Sequence, residues 1–179
     1  MHHHMDGFTL IEAMIVLLVS AILLLVAVPA WSYAISSAYN AATRSALAMT
    51  VVDAVRHSAL TGTEVVLCAD TGTAQCSGDV DWRNGWIAFA DRNGDRVRDP
   101  HETVVRQAPP LEGGVRLWTT VGRTRLVFQP NGGNAGSNAT FTLCDKRGVA
   151  KASTLVLANN GRLRQGIPTP AAAQACVYG

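Results

Sequence analysis

From Ala13 to Thr43 the chain carries no aspartate, glutamate, lysine or arginine. Just ahead of and within that run, the 23 positions Phe8–Ala30 are nearly all apolar or small, and Glu12 is the single charge. About 20 such residues cross a bilayer core as a helix, because a helix satisfies its own backbone there. A cleaved secretory signal fits poorly. Its apolar region is about 7–15 residues and follows a basic start, whereas Met1-His2-His3-His4-Met5-Asp6-Gly7 has neither lysine nor arginine. For the same reason the positive-inside rule cannot orient the segment. The three histidines are read as neither a metal site nor a switch. Glu12 then needs a partner, since an ionised side chain at bilayer depth costs about 2.5–3.5 kcal/mol on insertion scales.

The helical pattern continues past the apolar run. Ile35, Ala38, Ala42, Met49, Val52, Val55 and Ala59 recur at helical spacing among Asn40, Arg44, Asp53 and Arg56, which predicts an amphipathic continuation. One helix from about Phe8 to Leu60 is expected, roughly 80 Å long. Pro29 should bend or loosen it, and Gly62 should end it. Beyond Gly62 the periodicity changes to strands: 63–69, 85–90, 103–107, 115–120, 124–129, 139–144, 154–158 and 162–165. Asn159-Asn160-Gly161 predicts a tight type I′ hairpin turn. The tail 166–175 reads as a loop because of Pro168, Pro170 and an alanine run. The expected organisation is a leader (1–7), a membrane helix (8–30), its amphipathic continuation (31–61) and a β domain (62–179). The fold class is α+β, a long N-terminal helix packed on an antiparallel sheet.

Charge is divided between the halves. Through Glu102 there are 6 basic and 11 acidic residues; after it, 9 basic and 2 acidic. Such asymmetry raises a polyanion partner for the C-terminal half. The four cysteines Cys68, Cys76, Cys144 and Cys176 form no Cys-x-x-Cys pair, which argues against a metal site or thioredoxin chemistry. In an oxidising compartment two disulfides are expected. Three pairings are open. The preferred one joins Cys68 to Cys76 across a short turn and Cys144 to Cys176, tying the tail to a strand. In a cytosolic domain buried thiols would be the better reading.

Gly7-Phe8-Thr9-Leu10-Ile11-Glu12 resembles the prepilin motif of type IV pilins and type II secretion pseudopilins. The resemblance implies a prepilin peptidase cut between Gly7 and Phe8 and N-methylation of Phe8. It also implies that Glu12, fifth in the mature chain, pairs with the terminal amine of a neighbouring subunit. A buried charge becomes tolerable when it is paired. Val65–Cys68, Asn84–Phe89, the Asp91–Glu102 loop, Phe141–Asp145 and Gly161-Arg162-Leu163-Arg164 together resemble the FimT/GspH class of minor pilins. Some FimT-like members bind DNA in natural transformation through a C-terminal Gly-Arg-x-Arg motif. GspH-like members sit in a secretion pseudopilus and are not DNA receptors. The implied partners are other pilins, the peptidase/N-methyltransferase, the inner membrane before assembly, and DNA.

On a strand, Arg162 and Arg164 share a face and stand about 7 Å apart, a spacing that suits successive phosphates. Arginine meets phosphate through its planar fork. Such binding is independent of sequence and weakens with salt. Lys146, Arg147 and Lys151 on the preceding hairpin are expected to extend the patch, and Arg123 and Arg125 repeat the alternation. The competing reading is a solvated strand edge protected by charge. Trp82, Trp118 and Tyr178 are candidate stacking faces for bases.

Asp91, Asn93, Asp95, Asp99 and Glu102 occupy places 1, 3, 5, 9 and 12 of a calcium loop. The sixth place, which needs glycine, holds Arg96, so an Asx-turn-stabilised loop is the alternative. No nucleophile elbow, P-loop, His-Glu-x-x-His or Rossmann fingerprint occurs. Neither His57 nor His101 has a nucleophile beside it in sequence. The chain is expected to be no enzyme and to need no cofactor.

Overall fold

The computed structural model describes residues 9–134 and 136–179. The cleavage-site residues Gly7 and Phe8 lie outside them. The chain forms two compact units, Met1–Ile35 and Ser36–Gly179. Helix α1 spans Leu10–Thr61, with Pro29 inside it. Among the described residues it is the one helix long and apolar enough to cross a membrane. Its most apolar window has a mean hydropathy of 2.9 and no buried residue.

Among the described residues the second unit holds the later part of α1 and eight strands: β1 (Glu64–Ala69), β2 (Trp86–Asp91), β3 (Val104–Ala108), β4 (Arg116–Thr119), β5 (Arg125–Phe128), β6 (Ala139–Cys144), β7 (Ser153–Leu157) and β8 (Leu163–Gly166). They form two antiparallel sheets, ordered β3-β2-β1-β5 and β4-β6-β7-β8. This is the long helix packed on an antiparallel β domain that the sequence led us to expect.

The buried stripe of α1 is not the one its apolar spacing picks out. Ser36, Asn40, Thr43, Leu47, Thr50, Val51, Ala54 and Ser58 are buried, whereas Met49 and Val52 are exposed. Burying polar groups is tolerable when each finds a partner. Asn40 donates to Asp145 Oδ2 at 2.9 Å. Thr43 donates to the Tyr39 carbonyl and Ser58 to the Phe128 carbonyl. Thr50 accepts from Trp86 Nε1 at 2.9 Å. Leu47, Val51 and Ala54 fill the spaces between and join a core with Val65, Leu67, Trp82, Phe128, Phe141 and Leu157. Thr50→Val keeps the volume but strands the buried indole N–H. A loss of about 1–3 kcal/mol is expected, read as a lower urea midpoint with an unchanged slope.

The central strands β1 and β2 of the first sheet are buried on both faces, which explains why they read as largely apolar runs. Its second face carries Val66, Cys68, Ile87, Phe89 and Val127. The Cys68–Cys76 disulfide anchors one loop near it. That loop joins the acidic loop through Gln75 to the Arg98 carbonyl at 3.1 Å.

The tail corrects the sequence reading. Residues 170–178 form helix α2 (Pro170–Tyr178), not a loop. Thr169 Oγ1 accepts from the Ala172 N–H, and Pro170 stands in the first turn, where its missing donor costs nothing. The Cys144–Cys176 disulfide ties α2 to β6, and Arg116 Nη1 donates to the Val177 carbonyl at 3.1 Å near its end.

Candidate nucleic-acid interface

Strand β8 is an edge of the second sheet. Leu163 packs against the core, while Arg162 and Arg164 are exposed and form no ion pair among the described residues. Arg164 stands opposite Val156 and Leu163 opposite Leu157. The two arginines therefore lie on the sheet face turned away from the core.

The turn that delivers them differs from expectation. Ala158 N–H donates to the Arg162 carbonyl and Gly161 N–H to the Ala158 carbonyl, both at 3.0 Å. Of the three turn residues only Gly161 has positive φ, at 74°. This is a type I turn closed by a left-handed glycine, not a type I′ turn, which needs two positive φ values. Gly161 is required twice over, because a Cβ there would also meet the Gly132 carbonyl oxygen at 2.9 Å. Asn134, fully buried, braces the turn: its Nδ2 donates to the Ala158 carbonyl at 3.0 Å and its backbone N–H to the Asn159 carbonyl at 3.2 Å. Asn134 carries no signal in the sequence that links it to Gly161.

Lys146, Arg147 and Lys151 do not extend this pair. They sit in the β6–β7 connection, at the opposite end of β7 from the β7–β8 turn. Arg147 is committed to Asp145: its Nε and Nη2 donate to the two carboxylate oxygens at 2.8 and 2.7 Å. Burial alone would raise the Asp145 pKa. The bonds from Arg147, and then from Asn40, outweigh it and hold the group below its ordinary value. A folded-state pKa depressed in this way contributes stability that is present above the unfolded value and lost as pH falls through the folded one. Asp145→Asn is therefore expected to lower the urea midpoint at neutral pH. The gap to the unchanged protein should close below about pH 4.

Arg123 and Arg125 have different partners. Arg125 Nη1 donates to the Arg96 carbonyl at 3.1 Å. Arg123 Nη2 donates to Asn138 Oδ1 at 3.1 Å, on the approach to β6. Of the aromatic candidates, Trp82 is wholly buried, edge-on to Phe141 with centroids 5.1 Å apart, so it offers no stacking face. Tyr178 is exposed and Trp118 half-buried.

In the acidic loop, Asp91 accepts from the Gly94 and Arg96 N–H groups at 2.8 and 3.0 Å. Glu102 accepts from the Arg92 and Asp99 N–H groups at 2.7 and 3.0 Å. Asn93 donates to Asp95 and Asp99. Asp91, Asp95 and Glu102 accept from backbone N–H groups, Asp95 and Asp99 share the Asn93 amide, and among the described residues no group of three or more His, Cys, Asp or Glu side chains could hold a metal.

At the other end of the chain, Glu12 is exposed and its N–H donates to Thr9 Oγ1 at 3.3 Å. Thr9 and Glu12 thus stand in the positions of a capping box.

A helix of this length, its later half built into a two-sheet antiparallel domain, is the architecture of type IV pilins. Two crystal structures of the type IV minor pilin FimU from Pseudomonas aeruginosa share the fold, with TM-scores of 0.50 and 0.51. Each is 14% identical and covers 78% of this chain; the match takes in 94% of one FimU chain and 89% of the other. The chain belongs to the GspH family: the model described as type II transport protein GspH matches residues 35–161. A prokaryotic N-terminal methylation motif matches residues 3–28. None of the curated proteins matches significantly. The family match ends at Gly161, immediately before Arg162 and Arg164.

Proposed function

We propose that this pilin is a minor component of a type IV pilus that binds DNA without sequence preference during uptake. The observation that carries the reading is the pair Arg162 and Arg164, exposed on one face of an edge strand and free of ion pairs among the described residues. Two unpaired guanidiniums about 7 Å apart match a row of phosphates, and the surrounding half of the chain is strongly basic. In this reading Gly7–Phe8 is the cleavage site, and Phe8 becomes N-methylated. The apolar segment 8–30 anchors the chain once in the inner membrane, with the β domain in the periplasm. Glu12 then pairs with a neighbour's terminal amine on assembly. The role is structural and recognitive, with no catalysis.

The test is DNA binding by the full chain in detergent micelles at two salt concentrations. Retention of DNA at low salt, weakening steeply as salt rises, is expected. The second reading, a pseudopilin of a type II secretion system, is favoured by the description of the matching family model. Absence of DNA binding at low salt, together with a secretion defect in a deletion strain, would establish it instead.

A further inference from the structure

Beside Arg164, the outward face of the second sheet carries a hollow of about 510 Å³. Cross-strand pairing builds its floor. One row runs Trp118, Thr142 and Thr154; the next runs Thr140 and Val156, and the rows continue onto β8 as Gly166 and Arg164, outside the hollow's lining. Helix α2 forms one wall through Ala172 and Cys176, and Val121 and Ile167 also line it. These last two are 89% and 94% exposed. A second hollow of about 280 Å³ shares Thr120, Thr140 and Val156 with the first and is lined by Arg123. Among the described residues no carboxylate lines either one.

An apolar, threonine-floored slot with a half-buried indole, with Arg164 paired across the strands to Val156 of its floor and Arg123 lining the adjoining hollow, is complementary to a polyanion that also presents flat apolar faces. The larger hollow falls in the size range of small-molecule pockets, ~300–1,000 Å³. Duplex DNA keeps its base faces stacked inside and offers a protein phosphates and groove edges. Only a single strand can place bases against a wall while its backbone follows arginines. We propose that this slot seats unpaired bases of single-stranded DNA, with the phosphates running along Arg164 and Arg162 toward Arg123. The proposal rests on the reading of β8 as a DNA-contacting edge and adds a preference for single strands.

The experiment compares labelled oligo(dT) with a duplex of equal length, using the full chain in micelles. The double variant Val121→Ser/Ile167→Ser is measured alongside; both side chains are so exposed that folding does not depend on them. The unchanged protein should bind oligo(dT) more tightly than duplex. The variant should lose roughly tenfold on oligo(dT) and nothing on duplex. A bromodeoxyuridine strand should photo-cross-link to the peptide containing Trp118. Equal affinity for both DNAs, no effect of the variant and cross-links elsewhere would overturn the base slot while leaving the arginine edge intact. Equal losses on both DNAs would overturn it too, since base faces would then not be what the slot reads. A variant that impairs only incorporation into filaments would reassign the slot to a neighbouring pilin. Failure of the unchanged protein to bind either DNA would remove the DNA reading altogether.

Discussion

Arg162→Gln/Arg164→Gln is expected to weaken DNA binding by at least tenfold at moderate salt while leaving the thermal midpoint nearly unchanged. Both side chains are exposed, and surface substitutions of this kind usually move stability by less than about 0.5 kcal/mol. The binding loss follows from counterion release. Each phosphate contact contributes about 0.9 to the slope of log K against log salt on duplex DNA. Removing two contacts should flatten that slope by about 1.8, and the difference between proteins should be largest at low salt. Leu163, between them, packs against the core, so glutamine at 162 and 164 leaves the strand in register. A salt titration by fluorescence anisotropy measures both affinity and slope. An unchanged slope would sink the assignment of phosphate contacts to this pair. A reduced affinity with an unfolded variant would not count, which is why the melting curve is taken beside it. Arg123→Gln provides the graded comparison: it bonds Asn138 and should remove a smaller part of the slope.

Cys144→Ser/Cys176→Ser is expected to cost about 3–4 kcal/mol, the largest stability effect of any change considered. The bond spans 32 positions of sequence, and cross-linking a loop of that size removes roughly this much free energy from the unfolded ensemble. Both cysteines are buried, so serine hydroxyls would in addition be placed where sulfur packed. The structural consequence should be local. Helix α2 has nine residues, too short to persist alone in water, and β6 remains paired on both sides without it. Hydrogen exchange should show protection lost in 170–178 before it is lost in β6 and β7. Uniform loss across the whole second unit would contradict this account. By contrast the Cys68–Cys76 bond closes only eight positions, and its removal should cost less.

Much of the molecule is legible in the chain because the relevant forces are local. An uncharged run of that length has few options but a helix that can enter a membrane. The short apolar, β-prone runs at 63–69 and 85–90, set between Gly, Pro and Asn breaks, mark strands by their length and their punctuation. Arg162 and Arg164 sharing a face follows from the period of two. The order of the strands, the division into two sheets and the depth of each residue do not follow from any of these. The buried face of α1 shows the difference most clearly. Apolar spacing favours Met49 and Val52, yet the domain buries Asn40, Thr50 and Ser58. Their polar atoms meet Asp145, Trp86 and the Phe128 carbonyl, partners between 36 and 105 positions away. No window on the helix contains that information. The tail is a milder case: Thr169 and Pro170 are helix-start signals that the surrounding prolines and alanines obscured, and the disulfide to β6 then holds what propensity leaves marginal. The candidate site divides the same way. Its two arginines are a property of the sequence. Tertiary structure separates Lys146, Arg147 and Lys151 from them, because strand β7 lies between the two turns, and it is tertiary structure that sets Val121, Trp118 and Ile167 around a common hollow beside them.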